Sequence, residues 1–319
     1  WGQYGQLGNG YTTNSNYSTY YSSEKIYSVP VQVLNGKQTS ETGYLKEVVQ
    51  IDAMGGTGRS EMNRFGTSLA VTESKEVYGW GNSLYGALGV NASIVSTPVR
   101  VGTGISNAVQ VAGGGKSGSD DYNVYSIGNT GYTYILKEDG TVSSLGYNVN
   151  GELGNGAQTS TTNVCTVQGL TNVAQIAGSK DGNFGVAVKK DGTIWTWGQN
   201  TYGQLGNGSS VNSMLPVQVK SADGNSFLTD IVQISAGYVH SVALKKDGTV
   251  WAWGRNGGGQ LGNSNTKNQL LPVQVKGGAS GSEYLTDVVQ VTAGNWHSMA
   301  LKANGTVYAW GWGQYGQLG

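Results

Sequence analysis

The groups that most ionisable chemistry depends on are scarce in this chain. Its 319 residues include one cysteine and two histidines, and the four charged residue types together make up 12%. A lone Cys165 permits no internal disulfide, and its place in the repeat, where other copies carry Leu215 or Leu271, predicts a small buried apolar residue. The 19 basic and 19 acidic side chains balance. A neutral surface lacks the cationic excess that displaces counterions from nucleic acid, so no nucleic-acid partner is expected. No apolar run reaches the ~20 residues of a membrane-spanning helix, and none reads as a secretory leader. Nucleophile elbow, P-loop, zinc spacing and dinucleotide fingerprint are all missing. Gly113-Gly114-Gly115 follows a strand but opens no helix, so it lacks the usual phosphate-binding setting.

Glycine, by contrast, occurs 53 times, tyrosine 19 and tryptophan 9. Trp1 to Gly8 and Trp312 to Gly319 both read WGQYGQLG, and G-x-L-G recurs at Gly5, Gly86, Gly151, Gly203, Gly259 and Gly316. Such recurrence marks a repeat protein. Residues 231–254 and 288–311 match position by position, 173–198 is a third copy, and 48–81 and 108–146 are divergent ones. The repeats run over about 1–81, 82–146, 147–198, 199–254 and 255–311, with a partial copy at 312–319, and are read as one domain.

Within each copy, apolar residues alternate as in a half-buried strand, and Asp139-Gly140, Asp191-Gly192, Asp247-Gly248 and Asn304-Gly305 supply tight turns. The pairs Trp195/Trp197 and Trp251/Trp253 each fall on one sheet face, because alternate strand side chains share a face. Adding the Pro-Val-Gln-Val strands opened by Pro30, Pro216 and Pro272 ahead of each triplet gives four strands per repeat, the size of a propeller blade. A blade cannot bury its apolar faces alone, so stacking on neighbours is required.

The stretch W-G-x-N-x-x-G-Q-L-G from Trp197 to Gly206, with A-G-x-x-H-S-x-A-L-x-x-D-G-T-V-W-x-W-G from Ala236 to Gly254, resembles the RCC1 repeat family, named after the regulator of chromosome condensation. The resemblance spans essentially the whole chain. It implies an all-β, RCC1-like propeller of four-stranded antiparallel blades. About five blades are covered, and the chain starts and stops inside a motif, which reads as an excerpt of a seven-bladed or longer array.

His240 and His297 occupy equivalent positions, where other copies have Phe184, Tyr132 and Thr67. That set shares no acid–base or ligand chemistry, so an imidazole bonded to backbone is expected, with no catalytic residue, metal or cofactor. The loops differ more than the strands. The first two copies are enlarged between Gly55 and Gly66 and between Gly115 and Gly131, and the Gly8 to Pro30 link is long and tyrosine-rich. In a meander these segments emerge at one end, so one shared binding face is predicted. Its expected partner-binding residues are Tyr17, Tyr20, Tyr21, Arg59, Arg64, Asp120, Asp121, Tyr122, Tyr125, Tyr238 and Trp296, with Tyr238 and Trp296 as exposed anchors. Lys180 and Asp181 belong to the same set of loops.

The expected function is a non-enzymatic module that binds a protein or cell-surface ligand. The resemblance offers two alternatives: guanine nucleotide exchange on a small GTPase, with the Asp120-Asp121 insertion as the wedge, and a secreted enzyme inhibitor of the kind that blocks β-lactamase. Catalysis in a central channel lacks converging carboxylates or histidines. A Gly-, Ser-, Asn- and Thr-rich chain with one cysteine resembles bacterial secreted and cell-surface repeat proteins, which suggests an extracellular or surface location.

Overall fold

The computed structural model describes residues 6–10, 30–36, 43–55, 66–116, 130–277 and 283–319. Short alternating segments become strands arranged as consecutive antiparallel meanders. The first sheet is β1 (Val48–Gly55), β2 (Gly66–Thr72), β3 (Val77–Asn82) and β4 (Ile94–Val101); the second is β5 (Ala108–Gly114), β6 (Tyr132–Lys137), β7 (Val142–Gly146) and β8 (Thr161–Thr166). The third comprises β9 (Val173–Gly178), β10 (Phe184–Lys189), β11 (Ile194–Gly198) and β12 (Ser213–Gln218). The fourth comprises β13 (Ile231–Ala236), β14 (His240–Lys245), β15 (Val250–Gly254) and β16 (Gln269–Gln274). A two-stranded ribbon, β17 (Lys276–Gly277) and β18 (Glu283–Tyr284), precedes the three-stranded sheet of β19 (Val288–Ala293), β20 (His297–Lys302) and β21 (Val307–Gly311). Among the described residues there is no α-helix, only a 3-10 turn at Leu84–Gly86. The fold is all-β and built of propeller-type blades.

Two compact units result. One comprises Trp1–Glu138, Ser143–Tyr147 and Thr159–Cys165; the other comprises Asp139–Val142, Asn148–Gln158 and Thr166–Gly319. In the first unit, Leu69, Val71, Val77, Leu88, Val101, Ile135 and Leu145 belong to one buried cluster. In the second, Phe184, Val186, Ile194, Leu205, Ile234 and Trp253 form one cluster, and Val242, Val250, Leu261, Val275 and Val291 another.

The fourth strand comes from a place the sequence reading did not assign. The strand with Pro216 does not lead its own triplet: β12 pairs with β11 of the preceding triplet, Trp195 opposite Gln218, and β16 with Pro272 pairs likewise with β15. The short link after Gly206 turns the chain straight back onto β11. This makes the proline strands the outermost of each sheet, where a missing N–H need not interrupt a ladder and an edge is blunted against pairing. The same position explains Cys165, which lies on β8 half-buried rather than in the core, its thiol donating to the carbonyl of Asn163 at 3.7 Å. An outermost strand has less protein over it.

The Asp-Gly turns carry positive φ at glycine alone, for example Gly192 (φ 78°), whose N–H donates to the carbonyl of Lys189 at 2.9 Å. The Thr193 N–H and hydroxyl both donate to Asp191 Oδ1, at 2.9 and 2.7 Å, which closes the loop. The innermost strands of neighbouring sheets are bridged by side chains. Gln50 Oε1 accepts from the N–H of Val111 at 2.8 Å in the first unit, and Gln233 Oε1 from the N–H of Val291 at 2.8 Å in the second.

Two devices hold the G-x-L-G loop. The first is a buried asparagine. Asn200 Oδ1 accepts from the N–H of Leu205 at 2.9 Å, and its Nδ2 donates to the carbonyls of Ser209 at 2.9 Å and Val211 at 3.0 Å. Asn148 and Asn256 repeat the bond to Leu153 and Leu261. The second is the carbonyl of the residue before that leucine. The indole N–H groups of Trp80, Trp197, Trp253 and Trp310 donate to the carbonyls of Gln6, Glu152, Gln204 and Gln260, at 3.0, 2.8, 2.9 and 3.0 Å. Hydroxyls of Ser68, Ser241 and Ser298 add a second donor to three of them. Where Leu145 replaces the tryptophan, Thr133 alone serves the carbonyl of Ala87 at 2.7 Å; where Gly185 replaces the serine, Trp197 alone remains.

Removing the Asn200 carboxamide would leave the buried Leu205 N–H and the partly buried carbonyls of Ser209 and Val211 without this partner. Asn200→Ala is therefore expected to lower unfolding stability by about 2–4 kcal/mol. The neighbouring Gln199→Ala should stay within about 0.5 kcal/mol in the same denaturant titration, and equal losses would refute the staple.

Candidate interaction face

The loop between the first and second strands of a sheet and the link after its third strand leave the same end, and backbone bonds lock them together. In the second unit the Arg255 N–H donates to the carbonyl of Val239 at 2.9 Å and the Trp312 N–H to that of Trp296 at 2.9 Å. Gly254 makes the first approach possible: its φ is 103°, and a Cβ there would lie 2.6 Å from the Val239 oxygen. In this unit the two kinds of loop therefore share one end of the sheets.

Side chains on that face form a continuous row. The Arg255 guanidinium lies 4.9 Å from the Tyr202 ring centre and 4.6 Å from that of Trp296. Trp296 meets Tyr238 edge-on at 4.9 Å and Trp312 at 6.0 Å, and Trp312 is 6.2 Å from Tyr315. Offset and edge contacts of this kind add to the burial energy of aromatic pairs, and a cation over a ring is further favoured. Trp312 is 38% exposed and Tyr315 81%. In the first unit Tyr85 and Tyr147, at the positions of Tyr202 and Arg255, make an edge-on pair at 5.2 Å.

Beneath the row, the loops pack on one another. The Ser179 hydroxyl is within 2.6 Å of the Gly237 carbonyl and 2.9 Å of the Tyr238 carbonyl, the Tyr238 N–H donates to Asn295 at 3.2 Å, and Asn295 Nδ2 donates to Asp181 at 3.1 Å. Of the eleven expected contact residues, only Tyr238 and Trp296 lie among the described residues. Tyr17, Tyr20, Tyr21, Arg59, Arg64, Asp120, Asp121, Tyr122 and Tyr125 fall outside them. Tyr238 is not the exposed anchor expected: it is 5% exposed, because Trp296 covers its ring and Ser179 holds its backbone. Asp181 is likewise buried under Asn295. Trp296 is half-buried and stands in the row. Sequence reasoning missed Tyr202, Arg255, Trp312 and Tyr315. Their signal was available, since each occupies one of the x positions of the W-G-x-N-x-x-G-Q-L-G motif.

His240 and Glu152 are also buried in this unit. His240 bonds to the next sheet's side chain rather than to backbone: its Nε2 lies 3.0 Å from Ser298 Oγ. The Ser298 proton is committed to the Gln260 carbonyl at 3.0 Å, so the network assigns the proton on this contact to Nε2. Burial, with His297 nearby, pushes the imidazole down to about 3 and keeps it neutral. Glu152 replaces the glutamine of the other motifs. Its carboxylate accepts the Asn150 N–H and Nδ2, each at 2.8 Å. Burial nonetheless raises its pKa to about 7. No group of three or more metal-ligating side chains occurs among the described residues.

Repeated antiparallel blades, loops latched to the following blade and a face of stacked aromatics define a propeller-type repeat protein. The chain belongs to the RCC1 repeat family. The regulator of chromosome condensation (RCC1) repeat matches residues 191–244 and 247–301, and a second form of it matches 173–204, 231–260 and 288–317. The chain is similar to the ultraviolet-B receptor UVR8 of Arabidopsis thaliana, 29% identical over 326 residues, covering 100% of this chain and 61% of that protein. The Prp20p structure from Saccharomyces cerevisiae superposes with a TM-score of 0.61 at 25% identity, over 79% of this chain and 57% of that one. Human WBSCR16 gives 0.65 at 19% identity, over 83% and 63%. The chain thus spans less than two thirds of the length of each.

Folding raises the Glu152 pKa, so the native state keeps a proton between pH 4.5 and about 7 that the unfolded chain has released. Its contribution to stability is complete below that window and fades as pH rises through it. Glu152→Gln is expected to match wild type near pH ~4 and to melt at a higher temperature near pH ~8, flattening the profile. Parallel profiles of the two proteins across the window would refute this account.

Proposed function

We propose that this protein is a non-enzymatic interaction module whose loop face captures a protein or a ligand displayed on a cell surface. The observation that carries the reading is the row Tyr202, Arg255, Trp296, Trp312 and Tyr315, amphipathic rings and a guanidinium fixed on a rigid sheet scaffold. Tryptophan, tyrosine and arginine are the residue types that dominate binding hot spots. Family relatives include a receptor, UVR8, and Prp20p, described with its binding properties to Gsp1p and histones. We place the module outside the cell on composition: abundant Gly, Ser, Asn and Thr and a single cysteine. Inhibition of a secreted enzyme is a particular form of the same activity.

A photo-crosslinker placed at Tyr315 is expected to trap partner, whereas one at Thr306, on the hairpin at the opposite end of the same sheet, should not. Trp296→Ala with Trp312→Ala should keep the melting curve and lose partner. Equal trapping from both ends would remove this face from consideration.

A second reading, guanine nucleotide exchange, draws on the likeness to Prp20p. The Asp120-Asp121 segment that would act as the wedge lies outside the described residues. Release of labelled GDP from a Ran-like GTPase should accelerate with added protein on this reading; an unchanged rate eliminates it.

A further inference from the structure

Arg255 carries the inference furthest. Its guanidinium makes no ion pair and no side-chain hydrogen bond to any described residue, although it lies between the Tyr202 and Trp296 rings and is half-buried. Lys75, Arg100, Lys245 and Lys302, by comparison, sit on Glu138, Glu76, Asp230 and Asp287. A guanidinium held against two aromatic rings loses less freedom on binding, and its planar fork of N–H donors meets no acceptor among the described residues. That fork matches a carboxylate in bidentate geometry.

What lies beside the fork limits the partner further. The Trp296, Trp312 and Tyr315 rings follow one another at 6.0 and 6.2 Å. Side chains on one face of an extended strand recur every second residue, about 6.6 Å apart, whereas a polyproline helix repeats every third residue at about 9.3 Å. The row has the strand spacing. One cation in the row, on a chain of net charge +0, also offers little to a polyanion, which needs many such contacts.

We propose that this row binds an extended peptide segment with an aspartate or glutamate on Arg255 and apolar or aromatic side chains at the second and fourth residues from it, over Trp296, Trp312 and Tyr315. This rests on the interaction-module reading and names the partner's chemistry. The carboxylate meets a preordered guanidinium, so the acid is a specificity element as well as a source of affinity.

The test is an unbiased linear-peptide display library panned on the full chain, with R255Q and W312A chains panned in parallel and melting curves recorded for each. Enriched sequences should share an acid two residues from an apolar side chain. Replacing that acid by its amide in the peptide should weaken binding to the unaltered protein about tenfold or more. R255Q should weaken the acidic peptide by a similar factor and bind acid and amide forms alike; R255K, which keeps the charge but not the fork, should fall between. Enrichment of proline-rich or acid-free peptides that still depend on Trp312 would overturn the carboxylate and leave the binding face standing. Peptides indifferent to both W312A and R255Q would overturn both readings. A chain that sediments as a dimer and dissociates on W312A would make the row a self-interface and overturn the peptide partner.

Discussion

A carbonyl buried under a loop has to find a donor, and the second residue of five of the G-x-L-G turns finds one in the strands that follow it. The indole of the third strand, the hydroxyl at the second residue of the second strand, or both reach back to it. This bond ties a loop to the next sheet, so it sets the spacing at which blades stack and makes the faces with Trp197 and Trp253 inaccessible to water. The copies at 108–146 and 173–198 show the constraint by how they relax it. One keeps only a threonine donor and the other only an indole, and each carbonyl is still paired.

The loop so fixed becomes a platform. Because the buried asparagine and the indole hold its backbone, two of the variable positions of the motif accept different side chains on the same turn. Across the motifs these positions hold Asn82, Tyr147, Gln199, Arg255 and Trp312, and Tyr85, Asn150, Tyr202, Gly258 and Tyr315. The Glu152 copy follows the same logic internally. Its carboxylate accepts from both the N–H and the carboxamide of Asn150, whereas Gln204 and Gln260 accept the N–H of Tyr202 and Gly258 through Oε1 and have no acceptor for Nε2 among the described residues.

Separating what supports the chain from what contacts a partner accounts for the setting of His240. His240 lies fully buried against Ser298, in a position that Phe184 and Tyr132 fill elsewhere with equal burial. A position that accepts imidazole, phenyl, phenol and the Thr67 side chain needs burial and no particular acid–base group, and the extra hydrogen bond is local.

Strand periodicity, the Asp-Gly turns and the spaced tryptophans determined the all-β blade and the family from sequence, because each depends on local backbone preference or on the period of side chains within one strand. The one-ended exit of the loops followed from meander order alone. Three things were decided by tertiary structure. Which triplet the Pro216 strand joins depends on a chain reversal after Gly206 that no pattern within β12 records. Whether Tyr238 faces solvent depends on Trp296, a residue of the next sheet. And Arg255, Trp296 and Trp312 make one row because hydrogen bonds between separate loops set their backbones side by side, a distance that has no counterpart in the order of residues along the chain.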